Sequence, residues 1–130
     1  MAADPIYAAT PNVGSGLVPA TLDTSLTAPT NVTTILTAGA SGSKIEEIRV
    51  QAVGTTVVGV LNVFRYDGAT YHLIEQFLIT AVTSSATAIA FQAVRTYRDL
   101  ILMSGDTLRI SQTIAGNQSM LKVTATGADL

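Results

Sequence analysis

The 130-residue sequence predicts an all-β protein, a sandwich of about eight antiparallel strands preceded by an extended N-terminal arm. From residue 32 onward, threonine is abundant beside valine and isoleucine, the β-branched residues that suit a pleated sheet. Segments rich in glycine, serine, asparagine or aspartate recur at short intervals between these runs. Short strands separated regularly by turns are typical of a sandwich, a jelly roll or a barrel.

Residues 1–31 are predicted to form the arm. They contain all four prolines of the chain and show no sustained strand or helix period. A floppy terminus is one interpretation. An arm ordered by a partner is the other, because the segment is more apolar than a solvated, disordered tail. The candidate partner-binding residues of this arm are Ile6, Tyr7, Val13, Leu17, Val18 and Leu22.

Residues 32–130 are predicted to form the sandwich domain. Alternation of apolar and polar side chains over residues 48–52 and 108–114 indicates strands with one buried face. The only helix candidate is residues 93–99, which we interpret as a short connector. The predicted strands cover residues 32–37, 44–53, 57–66, 70–80, 87–93, 100–103, 107–114 and 120–126.

The strongest local prediction is a hairpin centred on the Asp-Gly pair at residues 67–68, since Asp-Gly supplies the backbone angles of a tight turn. A two-residue turn puts Arg65 opposite Thr70 and Val60 opposite Glu75. Arg65 and Glu75 are then not directly opposed, which disfavours a salt bridge between them. Both strands of this hairpin carry apolar residues on both faces, which predicts contacts beyond the core of one sandwich.

The composition excludes several classes of protein. Hydrophobic residues make up 48% of the chain and charged residues only 12%, about half the usual share of charge in a soluble domain. No apolar run approaches the roughly 18 residues of a membrane-spanning helix. Seven basic and nine acidic residues without a basic cluster argue against nucleic-acid binding. The surplus apolar surface therefore predicts contact with other protein chains, and oligomerisation is the simplest form of it.

No residue pattern predicts catalysis, a metal or a cofactor. His72 is the only histidine and the chain has no cysteine, so we expect a structural or surface role for it. Glu46 and Glu47 point to opposite faces of a strand and form no acid–base pair without a sharp bulge. Asp106 follows a glycine in a turn, where its carboxylate is expected to accept nearby backbone N–H groups. We therefore expect a protein that is not an enzyme.

Two segments carry a resemblance to a known class of proteins. Residues 61–76 (LNVFRYDGATYHLIEQ) resemble short β-rich structural proteins of tailed bacteriophages. In those proteins a strand ending in an aromatic residue, an Asp-Gly turn and a strand carrying Leu-x-Glu recur. Residues 100–109 (LILMSGDTLR) are similar to a Gly-Asp turn that is common in jelly rolls. The resemblance covers about residues 38–130.

The resemblance implies a jelly-roll-like sandwich that serves as a capsid decoration, or cement, protein. Such a protein is made in the host cytoplasm, binds the major capsid protein on the outer surface of the virion, and often does so as a trimer. Its arm would reach across capsid subunits. Another virion component (a head fibre, neck or tail subunit) stays open. A carbohydrate-binding jelly roll is disfavoured, since the chain has no tryptophan and four scattered tyrosines.

Overall fold

The computed structural model describes residues 10–130 and contains eight β-strands, as expected for an all-β protein. A single 3-10 turn, Ala115–Asn117, lies between the last two of these strands. The strands are β1 (Thr10–Leu17), β2 (Thr33–Thr37), β3 (Ser43–Ala52), β4 (Gly59–Tyr66), β5 (Tyr71–Ile79), β6 (Gln92–Leu102), β7 (Thr107–Gln112) and β8 (Leu121–Asp129).

The strands form two antiparallel sheets packed face to face. Sheet A has the order β1-β8-β3-β6, and sheet B has the order β2-β7-β4-β5. The first strand pairs with the last, the second with the seventh, the third with the sixth and the fourth with the fifth. A long hairpin of strand pairs rolled up into two sheets is a jelly roll. The prediction of a jelly-roll-like sandwich is therefore confirmed.

The core lies between the inner faces of the two sheets. In β3 the inward side chains Ile48 and Val50 are fully buried, while Arg49 between them is exposed. In β7 the inward side chains Leu108 and Ile110 are likewise fully buried. The alternation predicted over residues 48–52 is confirmed, and over residues 108–114 it holds only as far as Ile110, because Ser111 is fully buried and Ile114, beyond the end of β7, is 39% exposed. Partners from sheet B complete this apolar layer, among them Leu61, Val63, Phe77 and Ile79.

The strand β1 differs from the predicted arm, because it is an edge strand of sheet A along its whole length. Gly14 and Gly16 point towards β2, and a Cβ added at Gly14 would overlap the carbonyl oxygen of Ile35. Glycine therefore allows the backbones of the two sheets to meet here. The glycines and Pro11 resemble loop signals in the sequence, which is why a strand was not expected. Sheet A thus includes residues 10–17, whereas the sequence prediction began the sandwich at residue 32.

The hairpin between β4 and β5 is present, but the predicted two-residue turn is wrong. Arg65 pairs with His72, not with Thr70, so the loop has four residues. The Asp67 carboxylate accepts the N–H of Thr70 at 2.7 Å, and Gly68 adopts a φ of +96°. Asp67 therefore acts as an acceptor for backbone N–H groups, and only the glycine occupies the left-handed region.

A bulge in β5 changes the rest of the hairpin register. Ile74 is an extra residue that has no partner in β4. Val60 consequently pairs with Leu78, and the predicted pairing with Glu75 is wrong. The Glu75 carboxylate instead accepts the hydroxyl of Tyr97 at 3.1 Å, which links an edge strand of sheet B to one of sheet A.

The strand β6 replaces two predicted strands and the connector between them. Residues 92–96 and 100–102 all pair with β3, so the prediction of a connector over residues 93–99 is wrong. Residues 97–99 form a bulge opposite Glu46. A bulge interrupts the two-residue alternation of a strand, and the periodic signal is lost with it. The predicted strand over residues 87–93 is for the most part a loop before β6.

The outer face of sheet B is apolar in part, as the hairpin pattern indicated. Phe64 is fully buried outside the core cluster, with the ring of Tyr71 packed edge-on at 5.7 Å between centroids. The Arg109 guanidinium lies 4.1 Å from the centroid of the Tyr66 ring. The chain thus covers much of this second apolar face with its own side chains, while Leu78 stays 65% exposed.

Candidate interaction surface

The jelly roll places its four long connections at one end of the sandwich. These are residues 18–32, 53–58, 80–91 and 113–120, which join β1 to β2, β3 to β4, β5 to β6 and β7 to β8. The opposite end carries the short connections 38–42, 67–70 and 103–106. We refer to the surface formed by the four long connections as the loop end.

The loop end combines exposed apolar side chains with an almost complete lack of charge. Asp23 is the only charged residue in the four connections. Ile89 is 77% exposed and Val58 is 63% exposed. Exposed apolar groups that cluster on one surface mark sites of protein contact. The other large exposed apolar side chains at this end are Leu22, Leu26, Val53, Val57 and Ile114.

The connections of the loop end are fixed to one another by buried polar groups. Asn117 is 1% exposed, and its side chain accepts the N–H of Val57 and donates to the carbonyl of Val57, each at 3.0 Å. This clasp joins the 53–58 and 113–120 connections. Thr56 is also buried, and its hydroxyl donates to the carbonyl of Thr80 at 2.7 Å while its backbone bridges to Val82. The apolar side chains are therefore held on a preformed frame.

Asp23 uses its charge within its own loop. Its carboxylate accepts the backbone N–H groups of Asn31 (3.0 Å), Ser25 (2.9 Å) and Thr30 (2.7 Å). The hydrogen bond from Asn31 has the largest effect and, with those from Ser25 and Thr30, lowers the pKa of Asp23. Burial acts in the opposite direction but does not outweigh them. The N–H of Asp23 donates to the carbonyl of Gln112 at 2.8 Å and holds this loop against β7. The one charge of the loop end is thus internally compensated.

The residues of the predicted arm lie in three different environments. Val13 and Leu17 point outward from β1 and are 60% and 43% exposed. Leu22 is exposed at the loop end. Val18 is buried in the core, and its N–H donates to the carbonyl of Leu121, so its side chain packs the sandwich and is not available to a partner. Ile6 and Tyr7 lie outside the described residues.

A polar depression of about 660 Å³ lies on the outer face of sheet A. Glu46 and Glu47 both line it. The β3 bulge at Glu46 interrupts the alternation of the strand, so the two neighbouring carboxylates lie on the same face. Lys44 and Arg98 also line the depression, and the guanidinium of Arg49 bonds Glu47 at 3.1 Å. Acidic and basic groups are interspersed on an open surface, which is typical of a solvated sheet face.

The remaining polar residues singled out in the sequence have structural partners. The Asp106 carboxylate accepts the N–H of Met103 at 2.9 Å, which confirms the predicted turn cap, and it also pairs with Arg65 at 2.9 Å. His72 lies 3.0 Å from Asp67. The hydrogen bond from the Thr70 N–H, together with the His72 contact, lowers the pKa of Asp67.

The loop end is not apparent from the sequence, because its residues come from four separated segments. Each segment alone is a short run of Thr, Ser, Ala, Gly and Val that resembles an ordinary turn. One signal that could have found the loop end is the absence of Lys, Arg and Glu from all four connections.

Comparisons with protein-family models, curated proteins and solved structures find no match to this chain. Within residues 10–130, no three His, Asp or Glu side chains come together in a way that would hold a metal ion. The same part of the chain contains no helix long and apolar enough to cross a membrane.

Proposed function

We propose that this protein is a structural virion protein that binds the outer surface of a tailed-phage capsid as an oligomer and stabilises the head. The observation that carries the proposal is the loop end, an apolar surface on a fixed backbone frame whose one charge, Asp23, is compensated within its own loop. Contact with a protein surface buries such groups at little cost, because no uncompensated charge has to be stripped of water.

The rigidity of the loop end favours a permanent structural contact. The Asn117 clasp and the buried Thr56 hydroxyl hold their connections in one arrangement before any partner arrives. A preformed surface loses little conformational entropy on binding. The capsid as the partner is supported by the resemblance of residues 61–76 and 100–109 to phage structural proteins. The jelly-roll topology is compatible with this function and with many others.

The proposal is tested by sedimenting purified full-length protein with heads of the tailed phage that encodes it. We expect saturable binding that changes little between low and high salt, because the contact is apolar. Val58→Lys places a charge on the loop end and should weaken binding at least about tenfold. Met103→Lys is the matched control, since Met103 is 65% exposed at the opposite end, and its binding should stay within about twofold.

The outcomes separate this function from its alternatives. Failure of the protein to pellet with heads, together with its absence from purified virions, would contradict a virion role. Binding to tails alone would identify another virion component. Equal loss of binding in the Val58 and Met103 variants would show that the loop end is not the contact surface.

A further inference from the structure

We propose that the open edge of β1 pairs antiparallel with β1 of a second copy of this chain, joining two A sheets into one continuous sheet. The inference deepens the proposed function, because it rests on the oligomeric part of it and names the interface. It does not depend on the capsid, since the pairing forms between copies in solution.

The first observation is the set of backbone groups that β1 leaves free. Within residues 10–130, β1 has β8 on one side and no strand on the other. The Val18 N–H bonds the carbonyl of Leu121, in the same register as the β1–β8 pairing. In an antiparallel ladder the bonded residues alternate, so the even-numbered residues of β1 bond β8. Val13, Ser15 and Leu17 therefore direct their N–H and C=O groups to the open edge.

The second observation is that the other three sheet edges carry devices that prevent pairing. The β2 edge is covered by β1 itself at the contact of Gly14 with Ile35. The β5 edge is bulged at Ile74 and carries Glu75. The β6 edge is bulged at residues 97–99 and carries charged side chains. Bulges, charges and prolines are the usual protection of an edge against strand addition. The strand β1 pairs with β8 over eight residues without a bulge or a charge, and its one proline, Pro11, stands next to its first residue.

The third observation is that β1 is complementary to itself. When Val13 pairs with Ser15 of the second copy, the two residues exchange both main-chain hydrogen bonds, and the two-fold axis repeats this exchange. In the same register the Leu17 N–H donates to the carbonyl of Pro11. The proline, which has no N–H, then falls at the end of the ladder, and the Leu17 carbonyl stays unpaired once at each end.

The side chains of β1 fit the same arrangement. No residue of β1 is charged, so the two-fold axis brings no like charges together. Pro11, Val13 and Leu17 share the outer face, and the pairing sets Leu17 beside Pro11 of the second copy. Leu17, one of the exposed apolar residues of the predicted arm, is thereby covered in part, whereas Leu22 lies at the loop end outside this contact. The arrangement gives a two-fold dimer.

The test is sedimentation equilibrium of the full chain over a range of concentrations. We expect a species of twice the 13.5 kDa chain mass. Val13→Pro removes an edge N–H without removing a bond to β8, and it should raise the dissociation constant on the order of 10- to 100-fold. Val13→Lys keeps the N–H but brings two charges close to the axis, and it should raise the constant as well. Val58→Lys, at the loop end, is the matched control and should leave the dimer intact.

Amide hydrogen exchange locates the contact. The N–H groups of Val13, Ser15 and Leu17 should become protected as the protein concentration rises, while the amide of Leu73 in β5 should not change. A monomer or a trimer at all concentrations would overturn the inference. So would unchanged dimerisation in both Val13 variants, or protection of these amides only on phage heads. A dimer that fails to bind heads would instead contradict the capsid proposal and leave the β1 interface standing.

Discussion

Replacement of Asn117 by alanine tests whether the loop end is a fixed frame. The substitution removes one hydrogen bond to the N–H of Val57 and one to its carbonyl, both 3.0 Å long. Each buried bond contributes about 0.5–1.5 kcal/mol net, so we expect the free energy of unfolding to fall by about 1–3 kcal/mol. Asn117→Asp should not restore stability, because its second oxygen faces the Val57 carbonyl without a proton to donate.

The measurement is urea unfolding, combined with hydrogen exchange at the Val57 amide. Gln118→Ala is the control, since Gln118 is the exposed neighbour in the chain, and its stability should stay within about 0.5 kcal/mol of wild type. We expect the Val57 amide to exchange faster in Asn117→Ala alone. Wild-type stability and unchanged exchange in that variant would refute the idea that the clasp orders the two connections.

Three further predictions concern stability. Gly14→Ala should lower the melting temperature sharply, because the added methyl group would overlap the backbone of Ile35. An unchanged melting temperature would mean that the two sheets do not meet at this position. Phe64→Ala and Leu108→Ala should each lower the free energy of unfolding in urea by about 2–5 kcal/mol, since both side chains are fully buried. Near-wild-type free energies of unfolding would contradict the faces assigned to these residues. The pKa of Asp23 in the folded protein lies below its ordinary value of 3.8. The ionised carboxylate therefore stabilises the fold above pH 3.8, and this stabilisation is lost as the pH falls through the folded pKa. Asp23→Asn should therefore show a weaker loss of stability below pH 3.8 than wild type, and identical acid profiles would argue against the Asp23 hydrogen bonds.

The parts of the fold that the sequence predicted well are those in which one face of a strand is buried. The β3 segment alternates because Ile48 and Val50 face the core while Arg49 is exposed, and the first part of β7 alternates because Leu108 and Ile110 face the core while Arg109 lies on the other face. The Asp106 cap was also predictable, because its partner Met103 lies only three residues away in the chain.

The parts that the sequence did not predict are those in which a tertiary contact overrides the local signal. Gly14 and Gly16 favour a loop by composition, yet the backbone of β2 requires a glycine at Gly14, and Gly16 packs closely on side chains of β2. The bulges at Ile74 and at residues 97–99 broke the alternation that identifies a strand. The loop end depends on Asn117 and Thr56, whose partners lie far away in the chain.

The central claim, that the loop end attaches this protein to a capsid, is tested most directly by electron cryomicroscopy of phage heads incubated with the purified protein. We predict density for the jelly roll on the outer surface of the head. The four connections 18–32, 53–58, 80–91 and 113–120 should face the capsid, and the short connections 38–42, 67–70 and 103–106 should face solvent. Heads without added density, or density in which the loop end points away from the capsid, would contradict the claim.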